Sequence, residues 1–499
     1  MHVQKSNIIL LKHVFSKYAK GWNKMYNHIQ HYINGQWVDS TENETIDVIN
    51  PATEEKIGEI SSGTKEDLDK AVQAARDAFP SFSQTTKEER ADLLDRIADE
   101  YEKRKDKFIE VIMEELGSPV NFTTEVQYPM GLNHFRATAK LLRDFDFTEK
   151  RENSFIQKDA IGVAGLITPW NFPTNQASTK LASAFAAGST VVLKPSTETP
   201  FAAVLLTEVF EAAGLPKGVF NLVNGTGSTI GDGISSHPDI DFVSFTGSGG
   251  VGTKIMENAA QDIKKVSLEL GGKSPIVVLD DADVDYAAKT AISHIAGNTG
   301  QVCTAGTRAL VPESMHDDFI QAVKNHISEY PVGDPKDKST FTGPQVSEDQ
   351  WKTVQDYIQT GIDSEATLVT GGTGKPEGLE TGYYSKLTVF TNVKPDDTIA
   401  QEEIFGPVLS VITYKDLDEA IDVANGTIYG LAGYVVGNDP DNLTKTARSL
   451  RSGRIVVNNE PADFTAPFGG FQQSGIGREW GDYGIEEFLE PKTIVGLPS

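Results

Sequence analysis

The sequence predicts an α/β protein built on a doubly wound parallel sheet. Three observations favour this class: strand-like and helix-like segments alternate from about residue 160, the strand-like runs are apolar, and polar or glycine-rich loops follow them. Strands that are joined by helices pair in parallel, and the helices cover both faces of the sheet. A chain of 499 residues also exceeds a single hydrophobic core, so two or three domains are expected.

The first residues differ in charge from the rest of the chain. Residues 1–38 contain five lysines and no Asp or Glu, and Met25 stands just before an alternating run of aromatic and β-branched residues. We interpret residues 1–24 as an extension outside the fold, or as the result of an upstream start. Asn34 and Gly35 favour a two-residue turn, so the folded part is expected to open with a short β-ribbon.

A helical region follows the ribbon. Thr86 and Glu89 have the spacing of a capping box, in which each side chain accepts a hydrogen bond from the other residue's backbone N–H. Gly117 and Pro119 end the pattern. Between these limits apolar residues keep helical spacing at Leu93, Leu94, Ile97 and Tyr101. We interpret these helices as packing elements rather than as a site.

The alternating part of the chain contains five predicted strands, at residues 163–167, 190–193, 219–223, 242–245 and 266–268. The predicted helices between them cover residues 175–187, 200–213, 228–236 and 252–261. In such sheets ligands bind beyond the carboxyl ends of the strands. The loops at those ends begin at Thr168, Lys194, Asn224, Thr246 and Glu269. Each loop alone is compatible with an ordinary turn, whereas five at one edge indicate a site.

Residues 247–252 match the pattern G-x-G-x-x-G between a strand and a helix. Backbone N–H groups that no side chain covers, at a helix N-terminus, can cradle a pyrophosphate. Lys194 follows a neighbouring strand and could hold a ribose hydroxyl or a phosphate. The pattern by itself is weak evidence for a dinucleotide, and glycines in a tight turn are the alternative.

The chain contains one cysteine, Cys303, so an internal disulfide is excluded. A free cysteine is most often a small buried hydrophobe. Cys303, however, stands between glycines and small polar residues, from Gly300 to Gly306, where backbone can approach a ligand closely. From this segment alone both interpretations, a structural residue and a catalytic thiol, remain open.

Composition excludes several classes of partner. A formal net charge of −26 argues against nucleic acid or an anionic membrane, because either would demand a basic surface. No run approaches the roughly 18 apolar residues that span a bilayer, so a cytoplasmic location is expected. The nine histidines show no ligand spacing, so no metal site is expected.

With these residues in view, the chain resembles the NAD(P)-dependent aldehyde dehydrogenase superfamily, in its hydrolytic branch that does not acylate coenzyme A. The resemblance covers nearly everything from about residue 30 to the end. Six motifs carry it in order: PWNFP at 169–173, FTGS at 245–248, LELGGK at 268–273, GQVC at 300–303, EEIFGP at 402–407 and PFGG at 467–470.

The resemblance implies a Rossmann-type, doubly wound cofactor domain over residues 25–142 and 162–272. It also implies an α/β catalytic domain over 273–474 and a small β oligomerisation ribbon from 143–161 and 475–499. A homodimer or homotetramer follows from that ribbon. The sequence agrees in one respect, since residues 492–497 form a final strand that would be an aggregation liability unless it pairs with another chain.

The catalytic residues implied by the resemblance are Cys303, Glu269, Asn171 and Lys194. The Cys303 thiolate attacks an aldehyde, and the Asn171 amide with the Cys303 backbone N–H stabilises the oxyanion. After hydride transfer to the nicotinamide, Glu269 activates the water that hydrolyses the thioester to a carboxylic acid. Glu269 favours hydrolysis because branches that transfer the acyl group to coenzyme A generally lack this glutamate.

NAD or NADP is the implied cofactor, with Glu403 and Phe405 holding the nicotinamide ribose. The other implied contacts are Ile167, Thr168, Pro169, Trp170, Lys194, Ser196, Thr197, Gly227, Gly231, Phe245, Thr246, Gly247, Ser248, Val251 and Gly252. Thr197 stands where NAD-preferring members often carry a glutamate. Because a threonine can donate a hydrogen bond to a 2′-phosphate that a carboxylate would repel, we expect NADP to be tolerated.

The implied substrate pocket is roomy and partly polar. Its expected residues are Phe172, Asn175, Gln176, Thr179, Val302, Thr304, Ala462 and Phe464. Positions that are often aromatic in the family here carry Asn175, Gln176, Thr179, Gly297 and Ala462. A quaternary ammonium needs aromatic ring faces around it, so betaine aldehyde is not expected as a specialised substrate.

Two alternatives without catalysis remain. A catalytically silent scaffold would have no need for Cys303, Glu269 and Asn171 together, and a nucleotide-binding module would leave the thiol and the base unused. The reactivity of the Cys303 thiol separates both from an enzyme.

Overall fold

The computed structural model describes residues 26–496, whose strands form four sheets. The expected extension at residues 1–24 lies outside the described residues, as do the last three residues of the chain. Two of the sheets have eight and seven strands, and the other two have three strands each. Helices separate most of the strands of the two large sheets, so the predicted α/β class is confirmed.

The eight-stranded sheet contains all five strands predicted from the alternating pattern, and these five are parallel to one another. Their carboxyl ends are level. Thr246 lies opposite Glu269, and Ile167 lies opposite Lys194. Across the sheet the strands are Gly475–Ile476, Lys265–Glu269, Phe242–Thr246, Val163–Ile167, Thr190–Lys194, Phe220–Leu222, Gln30–Ile33 and Gln36–Asp39. The loops that follow the parallel strands therefore meet at one edge.

The predicted β-ribbon is confirmed. Strands Gln30–Ile33 and Gln36–Asp39 pair antiparallel around Asn34 and Gly35, whose φ angles are 52° and 73°. Positive φ at both central residues is the geometry of the tight hairpin turn that this dipeptide favours. Through Tyr32 the ribbon extends the eight-stranded sheet beyond its last parallel strand.

The capping box predicted from Thr86 and Glu89 begins the helix Lys87–Glu102. The Glu89 amide donates to Thr86 Oγ1 at 3.1 Å, and the Thr86 amide donates to Glu89 Oε2 at 2.7 Å. The helical pattern ends at Gly117 as predicted, but it consists of two helices, Lys87–Glu102 and Lys105–Leu116. The larger helices in this half of the chain are Lys65–Phe82, Lys87–Glu102, Lys105–Leu116, Tyr128–Asp144, Pro173–Ala187, Phe201–Ala212 and Gly249–Ala259.

The four predicted helices are present, and two of them differ from the prediction in a way that has a physical reason. The segment predicted at 228–236 begins as a π-helical turn, Gly227–Gly231, and continues as Asp232–Ser236. The helix predicted at 252–261 begins earlier and spans Gly249–Ala259. Glycine is unfavourable inside a helix, but the first-turn N–H groups have no intrahelical partner in any case, so glycines are tolerated there.

The seven-stranded sheet is built from the second half of the chain. Its strands, in order, are Thr367–Thr370, Thr388–Thr391, Val408–Tyr414, Gly306–Pro312, Ser274–Val278, Ala432–Val436 and Arg454–Val457. All pairs are parallel except the first. The larger helices of this half are Val284–Ala296, His316–His326, Glu348–Asp363, Leu417–Asn425, Pro440–Ser449 and Gly481–Glu487.

The C-terminal strand, Leu489–Val495, pairs antiparallel with Ser154–Ala160, which in turn pairs with Thr148–Lys150. An upstream strand of the same chain therefore covers one edge of this strand, and the expectation that another chain pairs with it applies to its other edge. The other small sheet consists of Tyr26–His28, Glu55–Ser61 and Thr45–Asn50. Among residues 26–496, every helix is too short or too polar to cross a membrane.

A buried carboxyl group caps one helix of the first half. Glu115 is fully buried, and it accepts hydrogen bonds from the Phe201 amide at 2.8 Å and from the Ala202 amide at 3.0 Å. These amides are the first two of the helix Phe201–Ala212, whose N-terminus lacks a side-chain cap of its own. Burial raises the pKa of Glu115 to about 8. The contact links the helix Lys105–Leu116 to the helix Phe201–Ala212.

Replacing Glu115 by alanine should therefore destabilise the protein. The change leaves two buried N–H groups without an acceptor, which costs about 2 to 4 kcal/mol. We expect the urea midpoint of unfolding to fall clearly below that of the native protein, and the exposed Glu125→Ala substitution serves as the control. Equal midpoints for both variants would contradict the capping role.

Candidate active site

A cavity of about 260 Å³ opens at the carboxyl edge of the eight-stranded sheet. Loops that follow three of its parallel strands form one side, and the Cys303 loop and residues 403–405 form another. The lining residues are Pro169, Trp170, Asn171, Gln176, Thr246, Gly247, Ser248, Leu270, Gly271, Cys303, Gln350, Thr353, Glu403, Ile404 and Phe405. Ten of these were expected from the sequence: all except Leu270, Gly271, Gln350, Thr353 and Ile404.

The remaining expected residues do not line this cavity. They are Ile167, Thr168, Phe172, Asn175, Thr179, Lys194, Ser196, Thr197, Gly227, Gly231, Phe245, Val251, Gly252, Glu269, Val302, Thr304, Ala462 and Phe464. Several lie at the same sheet edge, since Thr168 donates its amide hydrogen to the Lys194 carbonyl at 3.1 Å. Val302 and Thr304 flank Cys303, and Ala462 packs against the cluster that contains Cys303.

Cys303 lies in a tight loop between a short helical turn and the strand Gly306–Pro312. The preceding residues Asn298 and Thr299 have positive φ angles of 48° and 60°, a conformation that costs energy for residues with a Cβ. The thiol is only partly exposed. Burial, together with the nearby Glu403 and Glu269 carboxyl groups, raises the pKa of Cys303 to about 12. In this state the residue is a protonated thiol at neutral pH.

Asn171 is buried, and hydrogen bonds fix both its side-chain amide and its backbone carbonyl. Its Nδ2 donates to the Gln301 carbonyl at 3.0 Å, two residues before Cys303. Its own carbonyl accepts hydrogen bonds from Gln127 Nε2 and Asn298 Nδ2, both at 2.9 Å. These bonds orient the amide nitrogen of Asn171 toward the Cys303 loop. A donor fixed beside the nucleophile in a water-poor cavity is what an oxyanion needs.

Glu269 is almost completely buried, and neither carboxylate oxygen has a hydrogen-bond partner among the described residues. Burial, with the charge of Glu479 as the second cause, raises the pKa of Glu269 well above its ordinary value. Gly469 makes room for this side chain, because a Cβ there would lie 2.6 Å from Glu269 Oε1. A carboxyl group with a raised pKa beside a thiol is suited to proton transfer near neutral pH.

A buried ion pair lies near Glu269. Lys180 Nζ contacts Glu479 Oε1 and also donates to Ser244 Oγ at 3.0 Å. The ammonium lowers and Glu479 raises the pKa of Glu269, so both groups act on it electrostatically. Sequence reasoning missed this pair, although a lysine within the otherwise apolar and small-residue helix Pro173–Ala187 was a usable signal.

Glu403 enters the cavity from the opposite side. Its Oε1 accepts a hydrogen bond from the Gly272 amide at 3.1 Å, and its other oxygen occupies space that a Cβ at Gly271 would fill. Burial raises the pKa of Glu403 to about 7, whereas the Gly272 hydrogen bond and the charge of Lys273 lower it. Phe405 meets the Trp170 ring edge-on at 5.3 Å. This carboxylate and the two rings frame one end of the cavity.

The strand-end loops fit a dinucleotide. Among residues 26–496, Thr246 Oγ1 is buried without a hydrogen-bond partner, and a Cβ at Gly249 or Gly250 would meet nothing within 4 Å, so the start of helix Gly249–Ala259 is open to these residues. Lys194 is buried, and its Nζ donates to the Pro195 carbonyl at 2.8 Å. Burial lowers the pKa of Lys194 to about 8. These groups can bind ribose hydroxyls and a pyrophosphate.

The region that packs behind Cys303, outside the cavity lining, combines polar residues with stacked rings. Asn175 Oδ1 lies 2.8 Å from His134 Nε2, and burial lowers the pKa of His134 to about 4, so the ring is neutral. Trp480, whose φ is 67°, stacks with Phe464 at 5.2 Å and with Phe468 at 4.7 Å. Trp480 and His134 were not singled out from the sequence, because their contacts join distant segments.

A metal ion requires acidic, histidine or cysteine side chains in a particular arrangement around it. Across residues 26–496, no group of three or more His, Cys, Asp or Glu side chains is arranged to hold a metal ion.

Comparison with known proteins agrees with this geometry. The model of the aldehyde dehydrogenase family matches residues 37–494. A Staphylococcus haemolyticus protein named as an aldehyde dehydrogenase is 58% identical over 472 residues, which cover 95% of this chain and 99% of that protein. A corresponding Staphylococcus aureus protein is 57% identical with the same coverage.

Solved structures are similar over almost the whole chain. An aldehyde dehydrogenase C mutant from Pseudomonas syringae, in complex with NAD+ and octanal, superposes with a TM-score of 0.93 at 41% identity. The match covers 94% of this chain and 97% of that one. Betaine aldehyde dehydrogenase from Staphylococcus aureus, in complex with NAD+, gives a TM-score of 0.91 at 38% identity, with 94% of each chain covered.

The raised pKa of Cys303 predicts a slow thiol in the free protein. We expect the rate of alkylation by iodoacetamide to increase with pH up to about pH 10 without reaching a plateau, because the thiolate is the reactive form. Cys303 is the only cysteine, so mass spectrometry reports on it without ambiguity. A plateau near neutral pH would contradict the assigned environment.

Proposed function

The chain belongs to the aldehyde dehydrogenase family, and we propose that it oxidises an aldehyde to a carboxylic acid with NAD or NADP. The observation that carries this proposal is that Cys303, Asn171 and Glu403 line one cavity. The NAD+ bound in similar solved structures supports the choice of cofactor. When bound, the dinucleotide supplies the hydride acceptor.

We propose that Cys303 is the nucleophile. Its sulfur attacks the carbonyl carbon of the aldehyde, the thiol proton passes to a base, and the carbonyl electron pair moves to oxygen. The Asn171 amide and the Cys303 backbone N–H donate to that oxyanion in the thiohemiacetal. Because the free thiol is protonated, Glu269 is the candidate base for its activation.

Once the hydride has left the thiohemiacetal carbon, a thioester joins the acyl group to Cys303. Glu269 then removes a proton from water as the water oxygen attacks the thioester carbon, and the Cys303 sulfur leaves. The raised pKa of Glu269 suits this task, because a stronger base takes the proton more readily. Glu403, Phe405 and Trp170, which line the cavity with Cys303, would hold the nicotinamide end of the cofactor. Lys194 acts at its adenosine end.

Cofactor choice depends on the loop after the strand Thr190–Lys194. Thr197 is partly exposed and uncharged, and Ser196 Oγ accepts a hydrogen bond from the Glu198 amide at 3.2 Å. Burial and the charge of Asp349 raise the pKa of Glu198, which favours its neutral form. The loop therefore lacks a fixed carboxylate at position 197 to repel a 2′-phosphate, and we propose that NADP is accepted beside NAD.

The assembly is part of the proposal. We propose a cofactor domain over residues 25–142 and 162–272, a catalytic domain over 273–474, and oligomerisation through 143–161 and 475–499. The strand Leu489–Val495 supports this assembly, because one of its edges has no partner strand among the described residues. Light scattering should give a dimer or a tetramer, and a mass of 54.2 kDa would contradict this.

The nucleophile is tested by the Cys303→Ala substitution. With aliphatic, aromatic and amino aldehydes, we expect native protein to form NADH or NADPH, detected by absorbance, and the variant to lose about 10³-fold or more in rate. Binding of NADH, followed by fluorescence, should persist in the variant. Equal rates in both proteins would remove Cys303 from the mechanism, and no rate in the native protein would favour a silent scaffold.

Thr197→Glu tests the basis of cofactor choice. A carboxylate beside the 2′-phosphate should lower kcat/KM for NADP by about 100-fold while leaving NAD within a few-fold, because like charges placed together cost several kcal/mol. Thr197→Ser keeps the hydroxyl and should behave like native protein. The idea fails if native protein already uses NADP about a thousandfold less efficiently than NAD.

A further inference from the structure

One polar side chain of the cavity lining has a buried oxygen that the described residues leave without a hydrogen-bond partner. Gln176 lines the cavity together with Cys303 and Asn171, and it projects from the buried helix Pro173–Ala187. The residue is 7% exposed, and its Oε1 is buried without a hydrogen-bond partner among the described residues. A buried amide oxygen without a donor costs free energy, which a suitable ligand group recovers on binding.

Two polar residues lie near Gln176 on the same helix, and they differ in whether the described residues supply a hydrogen-bond partner. Asn175 has His134 as its partner at 2.8 Å, so its carbonyl oxygen is already occupied. Thr179 follows Gln176 by three residues and shares its side of the helix, and its Oγ1 is also buried and unpartnered. The helix therefore offers two hydrogen-bonding groups on one side that the protein itself does not use.

The charged residues of the cavity lining limit the charge that a bound substrate can carry. The acidic lining residue, Glu403, is assigned to the cofactor, and the lining residues include no Lys, Arg or His, so a carboxylate or phosphate on the substrate would be buried without a cationic partner. Trp480, Phe464 and Phe468 stack on one another rather than standing apart around a cation. These two features favour a neutral substrate.

Resting on the function proposed above, we propose that the preferred substrates are small neutral aldehydes that carry a hydroxyl group, and that Gln176 selects them. An amide both donates and accepts hydrogen bonds, and so does a hydroxyl, so the two groups match in either orientation of the amide. An alkyl group of the same size would leave the Gln176 oxygen buried and unpaired. The hydroxyl therefore contributes to binding of the transition state as well as of the substrate.

The test compares substrates of equal size. 3-Hydroxypropanal and butanal have the same number of non-hydrogen atoms, as have 4-hydroxybutanal and pentanal. For at least one pair, native protein should give a kcat/KM about tenfold or more higher for the hydroxyaldehyde. In Gln176→Met, which keeps the length of the side chain but not its amide, that preference should fall about tenfold. The change in the ratio cancels any intrinsic difference in aldehyde reactivity.

A matched control lies on the same helix. Ser178 is buried, and its hydroxyl has no hydrogen-bond partner in the described part of the chain, but it does not line the cavity, so Ser178→Ala should leave the substrate ratio unchanged. NADH binding and the thermal midpoint establish that each variant is folded. A native preference for the alkanals, or an unchanged ratio in Gln176→Met, would overturn this inference while the dehydrogenase function stands. A native protein that oxidises none of the aldehydes would instead contradict the proposed function itself.

Discussion

The register of the parallel strands is the constraint on which the site depends. Thr246 lies opposite Glu269 and Ile167 lies opposite Lys194, so loops separated by tens of residues in sequence begin at one level of the sheet. Shifting one parallel strand along its neighbours would move its loop by about 3.3 Å per residue, more than a hydrogen bond tolerates. The fully buried strands resist such a shift, because each side chain already fills a place in the core.

Burial governs the chemistry at that edge. The Cys303 thiol and the Glu269 and Glu403 carboxyl groups all have raised pKa values, with burial as the largest cause for each. Three buried acidic groups at one sheet edge cannot all be ionised cheaply, so protons stay on the site until a reaction draws on them. Gly271 and Gly469 are required at this level, since each leaves room for one of the two carboxyl groups.

Local patterns predicted much of the fold, and together with the family resemblance they predicted ten of the fifteen residues that line the cavity. The strands and Asn171, Lys194 and Glu269 at their ends follow from apolar runs and from what comes directly after them. Lys180 and Glu479 could not be paired from the sequence, because they are 299 positions apart and meet only through tertiary packing. The unpaired oxygen of Gln176 is likewise a property of its surroundings, which no spacing rule reveals.

The most direct test of the account concerns the covalent intermediate. Glu269→Gln keeps the side chain's shape but removes the base, so the test is run at about pH 9, where a small fraction of the Cys303 thiol ionises without Glu269. Prolonged mixing of this variant with an aldehyde and NAD should then leave an acyl group on sulfur. Intact-mass and peptide spectrometry should then show a gain equal to the aldehyde mass less two hydrogen atoms, confined to Cys303. Formation of NADH without any adduct, or an adduct at another residue, would contradict a thioester that Glu269 hydrolyses.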